Sequence, residues 1–356
     1  MPNVQYFLGA NTPQGFYSLY DQLMDRDTAR AIYILKGGPG CGKSTLMRRV
    51  AQRAEDAGLP VEYILCSGDP ASLDGVVLPT LGVALVDGTA PHVVEPKLPG
   101  AVEHYVNLGA CYDATALSLL RGELKSCMTG YKACYQQAYS NLSAAAQVRQ
   151  DVQTTLMSDA LRAKMDKRAA GILAREVPRR KHATAGEVRQ RFLSGVTCRG
   201  KLLLSETVAA LCPRVYHLCD RYGLAHEMLS TLLAGVRGTG HHAIACPSPM
   251  APLRLEAVLV PKPGLAFLAC PGDAKLPFTP YRRVHIDAMI DPVLLRENRG
   301  RLRLSGHIVD QLETSAMESL ARAKAMHDEL EQLYNPHVNF DLVGRIAEEI
   351  IGQIGL

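Results

Sequence analysis

Residues 30–57, RAIYILKGGPGCGKSTLMRRVAQRAEDA, constrain the fold more than any other stretch of the chain. Ala31 to Leu35 is a short, apolar, β-rich run of the kind that fills a buried parallel strand. Gly37, Gly42, Lys43 and Ser44 then match G-x-x-x-x-G-K-[ST] at every fixed position. Beyond them Leu46, Met47, Val50, Ala51 and Ala54 recur at helical spacing, one apolar stripe to lay on a sheet. Strand, glycine loop and helix in this order predict a phosphate-binding turn. Phosphate oxygens need several backbone N–H groups aimed at one point, and a glycine-rich turn supplies them without Cβ clashes. The helix N-terminus adds partial positive charge. On this reading Gly37, Gly38, Pro39, Gly40, Cys41, Gly42, Lys43, Ser44 and Thr45 cradle the phosphates of ATP. Lys43 would reach the β- and γ-phosphates, and the Ser44 hydroxyl would ligate Mg²⁺.

A second strand is expected at Val61–Cys66 and a third at Gly82–Val86, which ends in Asp87. An apolar strand closed by an aspartate is the Walker B pattern, in which the carboxylate holds Mg²⁺ beside the phosphate loop. No glutamate follows Asp87, so the water-polarising acid of many ATPases is missing there. Asp69 and Asp74, in the intervening SGDPASLDGVVLP, could orient water or a substrate hydroxyl; Asp69 falls at the carboxyl edge of the second strand, where ligands bind in open α/β sheets. Ahead of Pro70 and Gly75 both aspartates are equally readable as turn formers. In the loop beyond Asp87, His92 and Asn107 could touch a γ-phosphate or an acceptor group, or be ordinary loop residues.

The chain also repeats itself at offsets of about 180 to 185 residues. Phe7–Gly15 resembles Phe192–Gly200, Ile32–Leu35 resembles Val215–Leu218, and Ile64–Cys66 resembles Ile244–Cys246. Val76–Pro79 and Gly82–Val86 resemble Val258–Pro261 and Gly264–Leu268. In the second copy GGPGCGKST is replaced by DRYGLAHEM (220–228). Lys43 then faces His226, Ser44 faces Glu227, Asp74 faces Arg254 and Asp87 faces Ala269, so the second copy reads as chemically inert. Each copy ends in a helical stretch, about 114–175 and 296–355. A helical hairpin packed on the α/β core is expected, since Leu117, Leu120, Leu124, Cys127, Met128, Tyr131 and Cys134 recur at spacings of three and four. Arg175–Arg191 is basic and polar and reads as a solvated linker.

FLGANTPQGFYSLYDQL (7–23), ILKGGPGCGKSTLM (34–47), the stretch 66–109 and AKAMHDELEQLYNPHVNFD (323–341) together resemble a bacterial, Firmicutes-type family of tandem P-loop ATPases. The resemblance implies ATP binding and a P-loop NTPase fold, with the second P-loop half degenerate here. The expected fold class is α/β: a three-layer parallel sheet, duplicated, each copy followed by a helical hairpin. Expected boundaries are 1–113 for the nucleotide-binding domain, 114–190 for helices and linker, 191–295 for the degenerate copy and 296–356 for the terminal helices.

Composition limits the partners. Thirty-nine Lys plus Arg against 35 Asp plus Glu leave +4, too little over 356 residues to argue for nucleic acid or an anionic membrane. Nothing approaches a membrane-spanning apolar run, and the start lacks a basic, then apolar, leader. Ten cysteines without a C-x-x-C pair read as reduced thiols. The expectation is a cytoplasmic protein that hydrolyses ATP with Mg²⁺ at one site, catalysed through Lys43, Asp69 and Asp87, with a small molecule or protein as possible further partner. The alternative is a small-molecule or nucleotide kinase in which Asp69 activates an acceptor hydroxyl.

Overall fold

The computed structural model describes residues 3–178 and 184–356. The first half runs β1 (Val4–Tyr6), β2 (Gly9–Thr12), β3 (Gly15–Ser18), β4 (Ala31–Lys36), α1 (Lys43–Asp56), β5 (Glu62–Leu65), β6 (Leu73–Leu78), β7 (Val83–Asp87), β8 (Glu103–Asn107), α2 (Ala114–Leu119), α3 (Arg121–Leu156) and α4 (Asp159–Glu176). The second runs β9 (Val188–Gln190), β10 (Ser194–Thr197), β11 (Gly200–Leu203), α5 (Ser205–Leu211), β12 (Arg214–Cys219), α6 (His226–Gly238), β13 (Ala243–Ser248), β14 (Ala251–Val260), β15 (Leu265–Cys270), β16 (Arg282–His285), α7 (Pro292–Glu297), α8 (Arg299–Tyr334) and α9 (Phe340–Ile354).

Two six-stranded sheets result, ordered β1-β5-β6-β7-β4-β8 and β9-β13-β14-β15-β12-β16. The order is identical strand for strand, so the fold is a duplicated α/β unit. The halves meet at equivalent residues: Phe7 and Phe192 each donate an N–H to the other's carbonyl at 3.0 Å, which places a pseudo-twofold axis between them.

The sheets are mixed, which corrects the expectation of parallel ones. β6 runs antiparallel to both β5 and β7, whereas β4 pairs parallel with β7 and β8. The physical reason is connection length. A parallel neighbour needs a crossover of a dozen or more residues, and the chain has only 66–72 and 79–82 in which to turn around. The buried apolar runs at residues 31–35 and 83–86 take the interior positions β4 and β7, flanked by a strand on each side.

Strand register also corrects the pairing of the two copies. Asp74 is bulged out where β5 meets β6, between the pairs Ile64–Gly75 and Leu65–Leu73. Glu256 is bulged out in the same way between Cys246–Ala257 and Pro247–Leu255. Glu256, not Arg254, therefore corresponds to Asp74, and Ser248 corresponds to Cys66. On the helices, the buried face Leu46, Met47, Val50 and Ala54 of α1 matches Met228, Leu229, Leu232 and Val236 of α6. Leu35 and Leu46 are 11 residues apart, while their counterparts Leu218 and Met228 are 10 apart. The second loop is thus one residue shorter, so His226 stands at the place of Ser44 and Ala225 at that of Lys43.

The helical additions differ from the expected local hairpins. α3 does not fold back on α4; it lies along α8. Cys127 meets Met326 near one end and Asp151 meets Arg301 at the other, so the two long helices are antiparallel. Buried Glu313 of α8 locks the pair, accepting from Arg149 at 2.8 and 3.0 Å and pairing with Lys201. Beyond this crossing the terminal helices are exchanged. α4 packs on α6 of the second half and α9 on α1 of the first. In α9, Val343, Ala347, Ile350, Ile351 and Ile354 form the buried stripe that covers α1.

Alternation along the second sheet divides its core. Tyr216, Leu218, Val258, Val260 and Phe267 pack with α6 and α4. Val215, Ala257, Leu259, Ala266 and Leu268 join one continuous cluster with the first sheet. The halves are therefore fused through a common core on the sheet faces away from those helices. Of the stretch read as a linker, Arg175 and Glu176 close α4, 188–190 form β9, and residues 179–183 lie outside the described residues. Arg191 is not solvated: it is buried and donates to the carbonyls of Gln22 and Leu23 at 2.6 and 3.0 Å. Among the described residues no helix is long and apolar enough to cross a membrane.

Candidate functional site

The glycine loop leaves the carboxyl end of β4 and turns directly into α1. Gly40 and Gly42 have φ of 68° and 84°, left-handed values that a side chain would strain. At Gly37 a Cβ would come within 2.6 Å of Cys41 Sγ. Lys43 folds back over the loop and donates to the carbonyls of Gly37 and Gly38 at 2.7 and 2.8 Å. Its ammonium stands 3.6 Å from Asp87, which ends β7 next to β4. Ser44 Oγ accepts the Leu73 N–H at 3.0 Å. Lys43, Ser44 and Asp87 are thus brought to one loop mouth, with Thr45 exposed beside them. Asp87 is itself oriented by the N–H of Thr89 at 2.8 Å and by its hydroxyl.

Asp69 sits at the same sheet edge with the geometry of a turn former. Its carboxylate accepts from Ala71 N–H at 3.1 Å and Ser72 Oγ at 3.2 Å. It also faces two cations of the second half, Lys324 of α8 at 3.4 Å and Arg199 of the β10–β11 turn at 3.9 Å. Asp74 and His92 turn away from solvent and meet each other at 3.3 Å. Asn107 is exposed at the end of β8.

The second half reaches the loop from outside as well. Asn335, at the end of α8, donates to Gly40 O at 3.0 Å and Glu331 O at 3.2 Å when its amide is oriented to satisfy both carbonyls. A Cβ on Gly40 would strike this side chain at 2.3 Å. Tyr112 donates to Pro39 O at 2.9 Å, and its ring lies 5.3 Å from that of Tyr334. These tyrosines and Gly38 open into a cleft of about 810 Å³ whose far wall, on α3, carries Arg121, Lys125 and Lys132.

In the second half the loop from β12 to α6 is built differently. Asp220, 6% exposed, points its carboxylate into its own loop. One oxygen accepts Leu224 N–H at 2.9 Å and the other Ala225 N–H at 2.7 Å. Burial raises its pKa while the loop amides pull it down. A carboxylate of the chain thus holds the amides that a phosphate would otherwise need. His226 Nδ1 accepts the Leu255 N–H at 3.0 Å, repeating the bond between Ser44 and Leu73. Gly223 keeps the positive φ of Gly40, at 74°, and Gln153 of α3 lies over it as Asn335 lies over Gly40. Asp220, Lys324, Arg199 and Tyr112 were not singled out from the sequence; only the retained Gly223 hinted that the second loop keeps its turn.

Glu256 remains acidic at the place of Asp74, and burial pushes its pKa from 4.5 up to about 7. Its Oε1 has no hydrogen-bond partner. The folded chain holds this proton more tightly than the unfolded one, so the associated stability is full below pH 4.5 and drains as pH rises towards 7. Glu256→Gln should match the parent at about pH 5 and exceed it by about 1–3 kcal/mol at about pH 8. Denaturant unfolding at both pH values checks this; an equal gap at the two values refutes it.

Residues 17–76 match the family model for the Nephrocystin 3 N-terminal domain. The match runs from β3 to β6 and contains the glycine loop, a minority of the chain, so it marks a likeness and not membership. No curated protein and no solved structure matches the chain.

Proposed function

We propose that the first half binds MgATP through its glycine loop and hydrolyses it at this single site, with the second half inert as a catalyst. The observation that carries this reading is the contrast between the two loops. In the first, Lys43, Ser44 and Asp87 converge on the loop, and among the described residues no carboxylate accepts from its amides. In the second, Asp220 fills the amides and Ala225 and Ala269 stand where Lys43 and Asp87 would be. In this mechanism the Lys43 ammonium leaves the Gly37 and Gly38 carbonyls for the β- and γ-phosphates. Ser44 and Asp87 would hold the Mg²⁺, which would neutralise charge on the phosphates. The cleft between Gly38, Tyr112 and Tyr334 has room for the nucleoside. The resemblance to tandem P-loop ATPases supports the same reading.

The contacts of Asp69 with Lys324 and Arg199, and of Gly40 with Asn335, support a switch role. A phosphate entering the loop would be felt by α8 of the second half. The kinase reading has one observation in its favour, the three cations on the cleft wall, which suit an anionic acceptor. The deciding experiment is calorimetry with a non-hydrolysable ATP analogue and Mg²⁺, followed by labelled ATP turnover with and without a metabolite extract. One nucleotide per chain and release of free phosphate are expected. Two equivalent sites would overturn the single-site assignment, and label appearing only in an extract-dependent product would replace hydrolysis by group transfer.

A further inference from the structure

Behind the β5–β6 edge, three side chains of different chemistry close on one point. Cys66 follows β5, Asp74 is the residue bulged out of β6, and His92 lies in the loop after β7. One donor atom from each lies within 4.8 Å of the other two. Asp74 is 4% exposed and His92 8%. The imidazole is boxed edge-on by Phe16 and tilted against Tyr20, with ring centroids 5.1 and 5.0 Å away. Its Nε2 faces the Asp74 carboxylate at 3.3 Å, so the ring presents a nitrogen to the cluster, while its buried Nδ1 makes no hydrogen bond. Tyr20 donates its hydroxyl to Asp74 at 3.0 Å, the outer hydrogen bond that typically orients a metal-ligating carboxylate.

We propose that Cys66, Asp74 and His92 bind one zinc ion. Thiolate, carboxylate and neutral imidazole form a mixed soft and hard donor set that suits Zn²⁺ better than Mg²⁺ or Ca²⁺, which take oxygen ligands. Two anionic ligands and a dication sum to zero, which suits burial; without a cation, burial disfavours both charged forms, pushing the Cys66 thiol well up and the Asp74 carboxyl up. Three protein ligands leave a fourth position for water or a substrate atom. The second half lacks the set: Ser248 stands at the place of Cys66, and no histidine occurs between β15 and β16. The site therefore accompanies the half that keeps the glycine loop, yet it stands whether or not that loop binds ATP.

The test uses the full chain, stripped with a chelator, shown to be folded by circular dichroism, and titrated with Co²⁺ in the absence of nucleotide. One cobalt per chain is expected, with a thiolate-to-cobalt charge-transfer band and tetrahedral d–d bands, both bleached by stoichiometric Zn²⁺. Cys66→Ser should remove the charge-transfer band, and Tyr20→Phe should weaken cobalt binding by about 10–100-fold. Lys43→Ala should leave the spectrum unchanged, separating this centre from any Mg²⁺ site at the glycine loop. A folded parent chain that gives no charge-transfer band, or a Cys66→Ser variant that keeps it, overturns the proposal.

Discussion

Lys43→Ala should lower ATP turnover by about 10²–10³-fold, the scale on which one preorganised donor acts on developing phosphate charge. The loop offers its amides as neutral dipoles, and Lys43 is the cation already held at its mouth, bonded to Gly37 and Gly38 and 3.6 Å from Asp87. Truncation removes this charge while leaving the amides in place, so nucleotide affinity should fall together with turnover. Stability should change little, because both carbonyls that Lys43 caps are at a solvent-facing loop and can take water. Turnover assay, nucleotide titration and thermal unfolding on the same preparation separate these effects. If the loop were only a structural turn, the melting temperature would drop and turnover would not move, and the site assignment would fail.

Asp220→Ala should destabilise the chain by about 2–4 kcal/mol. The substitution strips two close acceptors from the N–H groups of Leu224 and Ala225, in a place 6% exposed. Buried donors without partners carry their full desolvation cost. A second readout distinguishes this from simple loss of packing. Once the carboxylate is gone, sulfate or phosphate can occupy the freed amides, so either anion should raise the melting temperature of Asp220→Ala more than that of the parent. Equal shifts in both proteins would mean that the loop is not an anion nest.

The glycine loop and its flanking strand and helix were legible because each depends on local chemistry: φ freedom, an apolar run, a helical stripe. Duplication was legible for a similar reason, since inward-facing residues of equivalent strands must remain apolar. Strand direction was legible in principle and missed. LDGVVL carries an aspartate and a glycine and does not look like a strand, yet the short spacers on either side allow only antiparallel neighbours. The exchange of α4 and α9 left no trace, because an amphipathic stripe states that a helix is buried and not against what. The filled second loop was hidden for a different reason. DRYGLAHEM looks like lost chemistry, and only the backbone shows that Asp220 curls back onto its own amides.

The helix exchange has a consequence for synthesis. α1 emerges early, but the face that α9 covers stays open until residues 340–354 have been made, and Arg30 waits as long for the carbonyl of Ile354, 2.7 Å away. Contacts of such long sequence separation form late, after the chain has met the loop-closure entropy between them. While the second half is being translated, the part of the apolar cluster that Val343, Ala347, Ile350, Ile351 and Ile354 later cover therefore stays open in the nascent first half, the kind of surface that chaperones hold. A ribosome stalled before residue 340 would carry a sheet already formed around β4 and a glycine loop with neither α9 nor the end of α8 in its final place.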